Sequence, residues 1–458
     1  MKAHKILLLA VIVVHVMLFS TELFAAYDHL IPQRQRGKFF TPSIRTRLEY
    51  NDNVSAKRGS GGGRGPAHQR IKSTVWYTEP KVAFRIPLDT TYIGVDYKYS
   101  LAYFWARPYD NEDVAHDLTA RFKHSFTPRL SLDLDNSYTR QQVGVIKRAR
   151  DTGNGYHVIR ENGDFELNNL DVAVKYDFTR SFYTTFKYGL EFLDFDTYDE
   201  SRTFDYLENR IGFESGYIVN KDTILLGGYT FKDRSYRLRE NADYDSHLLF
   251  GGVNYRLGKF FSLDSIAGVD FRKYEAPTRT NRGIDFDAVP LAPFGETLAS
   301  SVTTTIKQGD TKLHKNPYVR VRLSSNYFRN MVVTLGYLLM VQSTEQEDFT
   351  DSNSQSGSLQ ISWRFMPKIS LDLNMIYSID NYDGRVYQTL TTQPGYIAKR
   401  VAYDNPETKA FRMGAVFSYQ VTPWLFYELG YRRTDFDSDF NTSTWERNQV
   451  FTGVNAVF

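Results

Sequence analysis

Apolar and polar side chains alternate with a period of two residues in segment after segment of this chain, and this rhythm decides the fold class. Residues 369–379 are one example. Residues 91–105 form a longer one, in which a single face carries Ile93, Val95, Tyr97, Tyr99, Leu101, Tyr103 and Trp105. Successive side chains of a β-strand point to opposite faces, whereas a helix repeats about every 3.6 residues. The pattern therefore predicts an all-β protein built from two-faced strands.

The connections between these segments alternate between short turns and long loops. Thr127–Arg129 and Thr179–Ser181 are short, whereas Gly144–Asn162 and Ala276–Leu313 are long. An even number of antiparallel strands, with tight turns at one end and longer loops at the other, is typical of bacterial outer-membrane barrels. The series predicts a transmembrane antiparallel up-and-down β-barrel of about 18 strands. The margin is two strands, because residues 284–312 have room for another hairpin.

The N-terminus predicts export from the cytoplasm. Two lysines precede an apolar run over residues 6–19, and two alanines follow it. A basic start, a short apolar stretch and small residues at a cleavage site together indicate a secretory signal peptide. We expect a signal peptide at residues 1–26, a periplasmic N-terminal segment at 27–39 and the transmembrane barrel at 40–458.

The apolar strand faces are best solvated by lipid, and in lipid the sheet must close so that no strand edge is left unpaired. An open sheet edge in hydrocarbon leaves unpaired N–H and C=O groups, and closing the sheet removes that edge. The alternating last strand ends in Phe458, which resembles the signal read by the barrel-insertion machinery. We expect the cell outer membrane of a Gram-negative bacterium as the location. The expected partners are outer-membrane lipid, lipopolysaccharide and, through Phe458, the insertion machinery.

The polar strand faces, assigned inward, give the barrel a charged interior. Burying so many ions in a dry core would cost more free energy than ion pairing returns. A barrel of about 18 strands is also too wide for its own side chains to fill. The sequence therefore predicts a water-filled lumen supported by cross-strand ion pairs. The predicted pore-lining residues are Arg45, Arg47, Glu79, Lys81, Asp96, Lys98, Arg121, Lys123, Asp133, Lys175, Glu191, Arg210, Glu214, Asp270, Arg272, Arg320, Arg322, Arg364, Asp372 and Glu428.

Aromatic residues near the strand ends predict girdles at the two membrane interfaces. The loop-side girdle is expected to include Trp76 and Trp445, and the turn-side girdle Phe126 and Trp424. Carbohydrate stacking by the same rings is the alternative. The long loop at residues 276–313 is the best candidate for a constriction of the lumen, and an external loop is an equal alternative.

Composition and motifs exclude several functions. Lys and Arg (56) nearly balance Asp and Glu (53), which argues against nucleic-acid binding, and a chain without cysteine has no thiolate metal site. Asp243, Asp245 and His247 are the nearest approach to a catalytic cluster, but no nucleophile motif accompanies them. Acidic residues at period two, such as Asp194 and Asp435, suit a solvated rim better than a cation site. We expect no enzyme activity, no cofactor and no metal.

Several short motifs resemble a known family. Residues 40–44 read FTPSI and residues 48–54 read LEYNDNV, while the hairpin sequence FTPRLSLDL at 126–134 has an echo at 365–373. These features resemble the beta-barrel porin type 2 family over nearly the whole mature chain. The resemblance implies an outer-membrane barrel. Some similar proteins accompany exopolysaccharide synthesis and export systems.

The expected mechanism is passive conduction through a hydrated lumen whose mixed charge keeps selectivity modest. The leading expectation is a conduit for exopolysaccharide export, which adds a periplasmic polysaccharide-export protein as a partner. The alternatives are a general or solute-selective diffusion porin, and a plugged barrel that serves adhesion or envelope structure.

Overall fold

The structure is a computed structural model. It describes residues 39–54, 71–106, 111–142, 146–149, 155–158, 164–195, 205–237, 243–274, 313–328, 330–343, 351–382, 385–390, 399–404, 407–439 and 444–458. The predicted signal peptide, most of the segment at 27–39 and the candidate constriction at 276–312 lie outside these ranges. In the described part of the chain, no helix has the length and apolarity of a membrane span.

Every regular element in the described residues is a β-strand. In chain order the strands are β1 Phe40–Asn51, β2 Ser73–Pro87, β3 Thr91–Phe104, β4 Glu112–Thr127, β5 Leu130–Gln142, β6 Ile146–Ala149, β7 Gly155–Val158, β8 Asp164–Asp177, β9 Phe182–Phe195, β10 Tyr206–Asn220, β11 Thr223–Tyr236, β12 Tyr244–Leu257, β13 Phe261–Tyr274, β14 His314–Ser325, β15 Met331–Ser343, β16 Asp351–Met366, β17 Ile369–Asn381, β18 Arg385–Leu390, β19 Lys399–Asp404, β20 Glu407–Thr422, β21 Leu425–Ser438 and β22 Trp445–Val457.

Eighteen of these strands form one closed antiparallel sheet. Each pairs with the next in the chain, apart from the separate hairpins β6–β7 and β18–β19, which interrupt two of the long connections. The ring closes where β1 pairs with β22 over Ser43–Asn51 and Gln449–Val457. The predicted up-and-down barrel is therefore confirmed. Whether residues 284–312 hold another hairpin lies outside the described residues.

Side-chain oxygens fix several of the tight turns. The Thr127 hydroxyl accepts hydrogen bonds from the backbone N–H groups of Arg129 and Leu130 at 3.2 and 3.0 Å, and the Thr179 hydroxyl does the same between β8 and β9. Gly258 turns the chain between β12 and β13 with φ of 65°, a conformation that glycine adopts without steric cost. These local bonds set the register of each hairpin and so the inward or outward direction of its side chains.

The two faces of the wall differ as the alternation predicts. Outward positions such as Trp76, Phe186 and Trp363 carry large exposed apolar side chains, whereas their sequence neighbours point inward. Trp424 at the turn end stacks on Phe458 with ring centroids 5.8 Å apart. One girdle prediction is wrong. Trp445 lies on the inner face and stacks on the buried Phe436 at 5.6 Å, since β22 pairs these two residues directly.

Two joints of the wall have incomplete pairing, and the pairing of β2 with β3 is interrupted at Glu79 and Pro80. Strands β14 and β15 pair only over Val319–Ser325 and Val333–Leu339. Continued by two residues, the same register would set Pro317 opposite Val341. Proline has no N–H to donate, and the Val341 carbonyl instead accepts a hydrogen bond of 3.1 Å from Nη2 of Arg272, which reaches across β14 from β13.

Candidate functional site: the barrel lumen

A cavity of about 620 Å³ lies inside the barrel, against the inner faces of β4, β5 and β8–β15. Six cationic and four anionic side chains contribute to its wall, together with small and apolar residues. The charged lining residues are Arg121, Lys123, Lys187, Arg210, Lys232, Arg320, Asp133, Asp135, Asp171 and Glu214. A second cavity of about 210 Å³ lies near the turn end and includes Arg322 and Asp264.

Directly paired strands place opposite charges side by side on this wall. On β4 and β5, the Arg121 guanidinium lies 3.1 Å from the Asp135 carboxylate and the Lys123 ammonium lies 2.5 Å from the Asp133 carboxylate. About half of the Lys123 and Asp133 side-chain surface is exposed, at 57% and 44%. Side chains with this much exposed surface must be hydrated, because in a dry lumen the ions would lose the full free energy of hydration. This part of the wall therefore faces water.

The Arg210 guanidinium joins three strands near the middle of the wall. From β10 it crosses β9 at Gly189, where a β-carbon would lie 2.6 Å from Arg210 Nε. Beyond Gly189, its Nη2 donates hydrogen bonds to Asn169 Oδ1 at 2.7 Å and to Asp171 Oδ1 at 3.2 Å, both on β8. Its Nη1 donates to Glu191 Oε2 at 3.4 Å. Gly189 thus supplies the space that lets one cation hold carboxylates on two neighbouring strands.

A buried ion pair lies beside Arg210. Glu208 is 1% exposed, and its Oε2 lies 2.6 Å from Nη2 of Arg234 on β11. The Tyr244 hydroxyl donates to the same oxygen at 3.2 Å, while the Tyr206 ring lies 4.0 Å from the Arg234 guanidinium carbon. Hydrogen bonds and ring contacts of this kind compensate the desolvation of both charges. This part of the wall is a rigid support rather than a solvated surface.

The same arrangement continues onto β13. Arg272 Nη2 lies 3.1 Å from Asp270 Oδ2, and its guanidinium carbon lies 4.3 Å from the Tyr244 ring centroid. The Ser246 hydroxyl on β12 donates to the other Asp270 oxygen. Because Arg272 also reaches Val341, a single side chain braces the incomplete joint between β14 and β15.

All twenty predicted pore-lining residues lie on the inner face. Arg121, Lys123, Asp133, Arg210, Glu214 and Arg320 line the larger cavity, and Arg322 lines the smaller one. Most of the others belong to ion pairs away from these cavities: Arg45–Glu428, Arg45–Glu79, Arg47–Glu49, Lys81–Asp96, Lys98–Asp117, Lys175–Asp177 and Arg272–Asp270. Glu191 pairs with the cavity-lining Arg210. Asp372 accepts a hydrogen bond from Ser362, and Arg364 lies on the same face of β16. That a solute passes along these residues stays a prediction.

The inner face also carries large apolar and aromatic residues that are not among the predicted pore-lining residues. Phe165 and Phe195 form one buried cluster near the loop ends of β8 and β9, and Val75 and Phe104 form another. Their position on the strand was the available signal, because each is an even number of residues from a predicted inward side chain. The lumen is therefore polar along part of its length and lined by packed rings near the loop end.

Several of the acidic residues at the loop-side rim close strand ends. Asp205 Oδ1 accepts the backbone N–H of Phe195 at 2.8 Å, and Asp243 Oδ1 accepts that of Tyr236 at 2.6 Å. His247 faces outward, and its Nδ1 lies 2.7 Å from the Tyr229 hydroxyl. Asp243 and His247 thus have structural partners in different places, and the geometry assembles no catalytic arrangement from them.

One of these rim carboxyl groups titrates unusually. Burial raises the pKa of Asp205 from 3.8 to about 6, and the neighbouring Asp194 carboxylate adds to the rise. The hydrogen bond from the Phe195 N–H opposes it. The rim therefore holds a carboxyl group that changes charge in mildly acidic solution.

Comparison with known proteins finds no matching family model and no matching curated protein. The assignment to the beta-barrel porin type 2 family consequently stays a prediction. Solved structures with similar folds include OpdK from Pseudomonas aeruginosa with vanillate, at 9% identity and a TM-score of 0.45, covering 92% of this chain and 99% of that one. The siderophore receptor PirA from the same species matches at 9% identity and 0.41, covering 92% and 80%. At these values the similarity carries no inference about function, and the barrel rests on its own strand pairing.

The location follows from the wall itself. A closed antiparallel barrel with short turns, longer loops and an outward apolar surface ringed by aromatic side chains is the architecture of bacterial outer-membrane proteins. In water, that exposed surface would drive aggregation. The chain is a barrel of the outer membrane.

Proposed function

We propose that this protein is an outer-membrane channel through which small hydrophilic solutes diffuse. The observation that carries the proposal is the lumen cavity of about 620 Å³, whose wall bears six cations and four anions. Half-exposed ion pairs such as Lys123–Asp133 keep that space hydrated. A solute moving through such a space exchanges bulk water for lumen water and wall charges, which keeps the barrier low.

The wall favours small solutes over a secreted polysaccharide. A channel that guides a sugar polymer would present aromatic faces to it along the lumen. In the described wall, the inward rings of Tyr236, Tyr244 and Tyr274 are 7%, 4% and 3% exposed and pack against arginine side chains and one another. These rings are part of the supporting wall. Among the residues that line the large cavity, the inward aromatic rings are those of Phe250 and Tyr318, too few to form a continuous aromatic surface for a polymer. Exopolysaccharide export therefore remains the second candidate, carried by the family resemblance alone.

Single-channel recording tests the proposal. We expect purified, refolded protein to give discrete conductance steps in planar bilayers, with unfolded protein from the same preparation as the control. Silence in both orientations, for protein shown to be folded, would replace the channel by a plugged barrel.

Deletion of the gene separates the two cargo hypotheses. A diffusion channel predicts slower uptake of small solutes with unchanged surface polysaccharide. Loss of surface polysaccharide with unchanged solute uptake would favour the export conduit. A chromosomal copy restored at another site is the control for both measurements.

A further inference from the structure

Four arginines gather on the inner face where the barrel closes. Arg412 on β20, Arg432 on β21, Arg447 on β22 and Arg47 on β1 form what we name the arginine cluster. Thr434 lies between two of them, because its registered neighbours are Arg412 on one side and Arg447 on the other. The cluster occupies strands that do not contribute to the large lumen cavity.

The charges of the cluster act on one another. Arg432 experiences repulsion from Arg47 and Arg412 and attraction from Glu49, and Arg447 is likewise repelled by Arg412. Among the described residues, no hydrogen bond or ion pair engages the Arg432 guanidinium. All four side chains are partly accessible from the lumen.

Nearby carboxylates offset only part of the charge of the cluster. Glu49 is fully buried and accepts a hydrogen bond of 2.7 Å from Gln449, with Arg47 Nε at 3.9 Å. Asp52 accepts hydrogen bonds from the backbone and side chain of Asn448 at 2.7 and 2.9 Å. The Glu428 carboxylate, nearer the turn end of β21 than Arg432, lies 2.6 Å from the Arg45 guanidinium. The cluster therefore holds more positive than negative charge in a partly desolvated place.

Such an excess is stabilised by an anion. Like charges held together at low dielectric repel strongly. Guanidinium groups present planar pairs of N–H donors that match the oxygens of phosphate and carboxylate. The Arg432 donors face the lumen, and the Thr434 hydroxyl lies one residue pair away on the same face.

We propose that the arginine cluster binds a phosphate group carried by a solute in the lumen. All four side chains face inward, away from lipid, so the phosphate comes from a soluble molecule. This inference rests on the proposed channel and names the solute class that the channel retains. A multivalent oxyanion can bridge Arg432 and Arg447, which a chloride ion cannot do with the same geometry.

Thermal unfolding in detergent micelles provides the primary test. The melting temperature of the whole mature protein should rise in inorganic phosphate relative to chloride of equal ionic strength, because a ligand that binds the folded state stabilises it. Arg432→Gln should weaken phosphate binding by about 10- to 100-fold, the range for a lost hydrogen bond to a charged group. In chloride, the same variant should melt at or above the wild-type temperature, because it loses a repulsive charge.

The neighbouring residue provides a matched control. Arg433 lies on the same strand but faces outward, where its Nε is 2.8 Å from Asp435. Arg433→Gln should therefore keep the wild-type response to phosphate. Arg447→Gln serves as the second test variant if Arg432→Gln does not fold.

A fluorescence measurement supplies an independent readout. The Arg447 guanidinium carbon lies 5.1 Å from the Trp445 ring centroid, so phosphate at the cluster should change Trp445 emission. Trp445→Phe should remove that change. No phosphate response in the wild-type protein, or an undiminished response in both arginine variants, would overturn the proposal. An equal response to citrate would reassign the site to carboxylates.

Conductance separates this inference from the channel itself. If phosphate shifts the melting temperature but the protein never conducts, the site stands and the channel fails. If the protein conducts without any phosphate response, the channel stands and the site fails.

Discussion

Arg210 Nε lies where the side chain of any larger residue at position 189 would begin, 2.6 Å from the β-carbon position of Gly189. Both residues lie on the inner face, and their strands pair them directly. The crossing brings Arg210 to Asp171, two strands away. The Arg210–Asp171 ion pair therefore requires glycine at position 189, although Gly189 itself forms no part of that pair.

Replacing Gly189 should break this crossing. We expect Gly189→Val to lower the free energy of unfolding by about 1–3 kcal/mol, the usual cost of overpacking, as Arg210 is displaced from Asp171. Denaturant unfolding in micelles measures it. Gly357→Ala is the control, because a β-carbon there meets no atom within 4 Å. Equal stability of the two variants would contradict the crossing.

Removing the buried acid Glu208 should be more costly than removing an exposed one. Glu208→Gln removes the nearest carboxylate of the Arg234 guanidinium and leaves only Glu191, at 3.8 Å; breaking a buried pair in this way costs about 3–5 kcal/mol. Asp133→Asn disrupts an exposed pair with Lys123, and such pairs contribute about 1 kcal/mol or less. Urea unfolding of both variants compares them. Similar losses would show that Glu208 is hydrated.

Stability should increase as the pH falls through about 6. The folded state raises the pKa of Asp205 above its ordinary value of 3.8, so it takes up a proton that the unfolded chain does not yet bind. This stabilisation is complete below the unfolded pKa and is lost as the pH rises through about 6. Melting temperatures measured across this range should show the rise. In Asp205→Asn, this part of the pH dependence should disappear.

Charge in the lumen should set ion selectivity. The large cavity carries two more cations than anions among its charged lining residues. Neutralising two of them, in Arg121→Gln with Lys187→Gln, should shift the reversal potential toward less anion preference. Lys273→Gln is the control, since Lys273 is exposed on the opposite face of β13. A shift of equal size in the control would place the selectivity outside the lumen.

The C-terminal residue should matter for assembly more than for stability. Phe458 stacks on Trp424, and its backbone N–H donates to the Pro42 carbonyl at 2.9 Å. Deleting Phe458 should reduce the amount of protein in outer-membrane fractions, whereas Phe458→Tyr should preserve it. Normal levels after deletion would argue against recognition of this residue by the insertion machinery.

The alternation in the sequence predicted the barrel because one physical constraint, the two-residue period of a strand, acts on every segment. Val95 and Asp96 need opposite environments, and a wall between lipid and water supplies both to each strand. Side-chain direction followed from the same period. Position along the strand was less reliable, as Trp445 shows: its distance from the strand end suggested a girdle, but its register with Phe436 places it inside.

The lumen contacts could not be read from the sequence, because they depend on cross-strand register. Nothing local to Gly189 indicates that Arg210 lies over it, since the two are separated by a loop. Likewise, the arginine cluster joins residue 47 to residues near the C-terminus only when the barrel closes. Ring closure brings together charges from opposite ends of the chain, and periodicity within single segments carries no information about that.

The short pairing between β14 and β15 makes this joint a mechanically weak part of the barrel wall. A closed sheet resists strand separation equally at every strand pair only when every pair is fully hydrogen-bonded. Here Pro317 has no N–H, so one backbone hydrogen bond is missing in the loop-side half of this pair. Heat or lateral tension should part the wall first at this seam, because its paired stretch is the shortest among the described barrel strands. For β14 and β15 to separate there, the hydrogen bond from the Arg272 guanidinium to the Val341 carbonyl has to break.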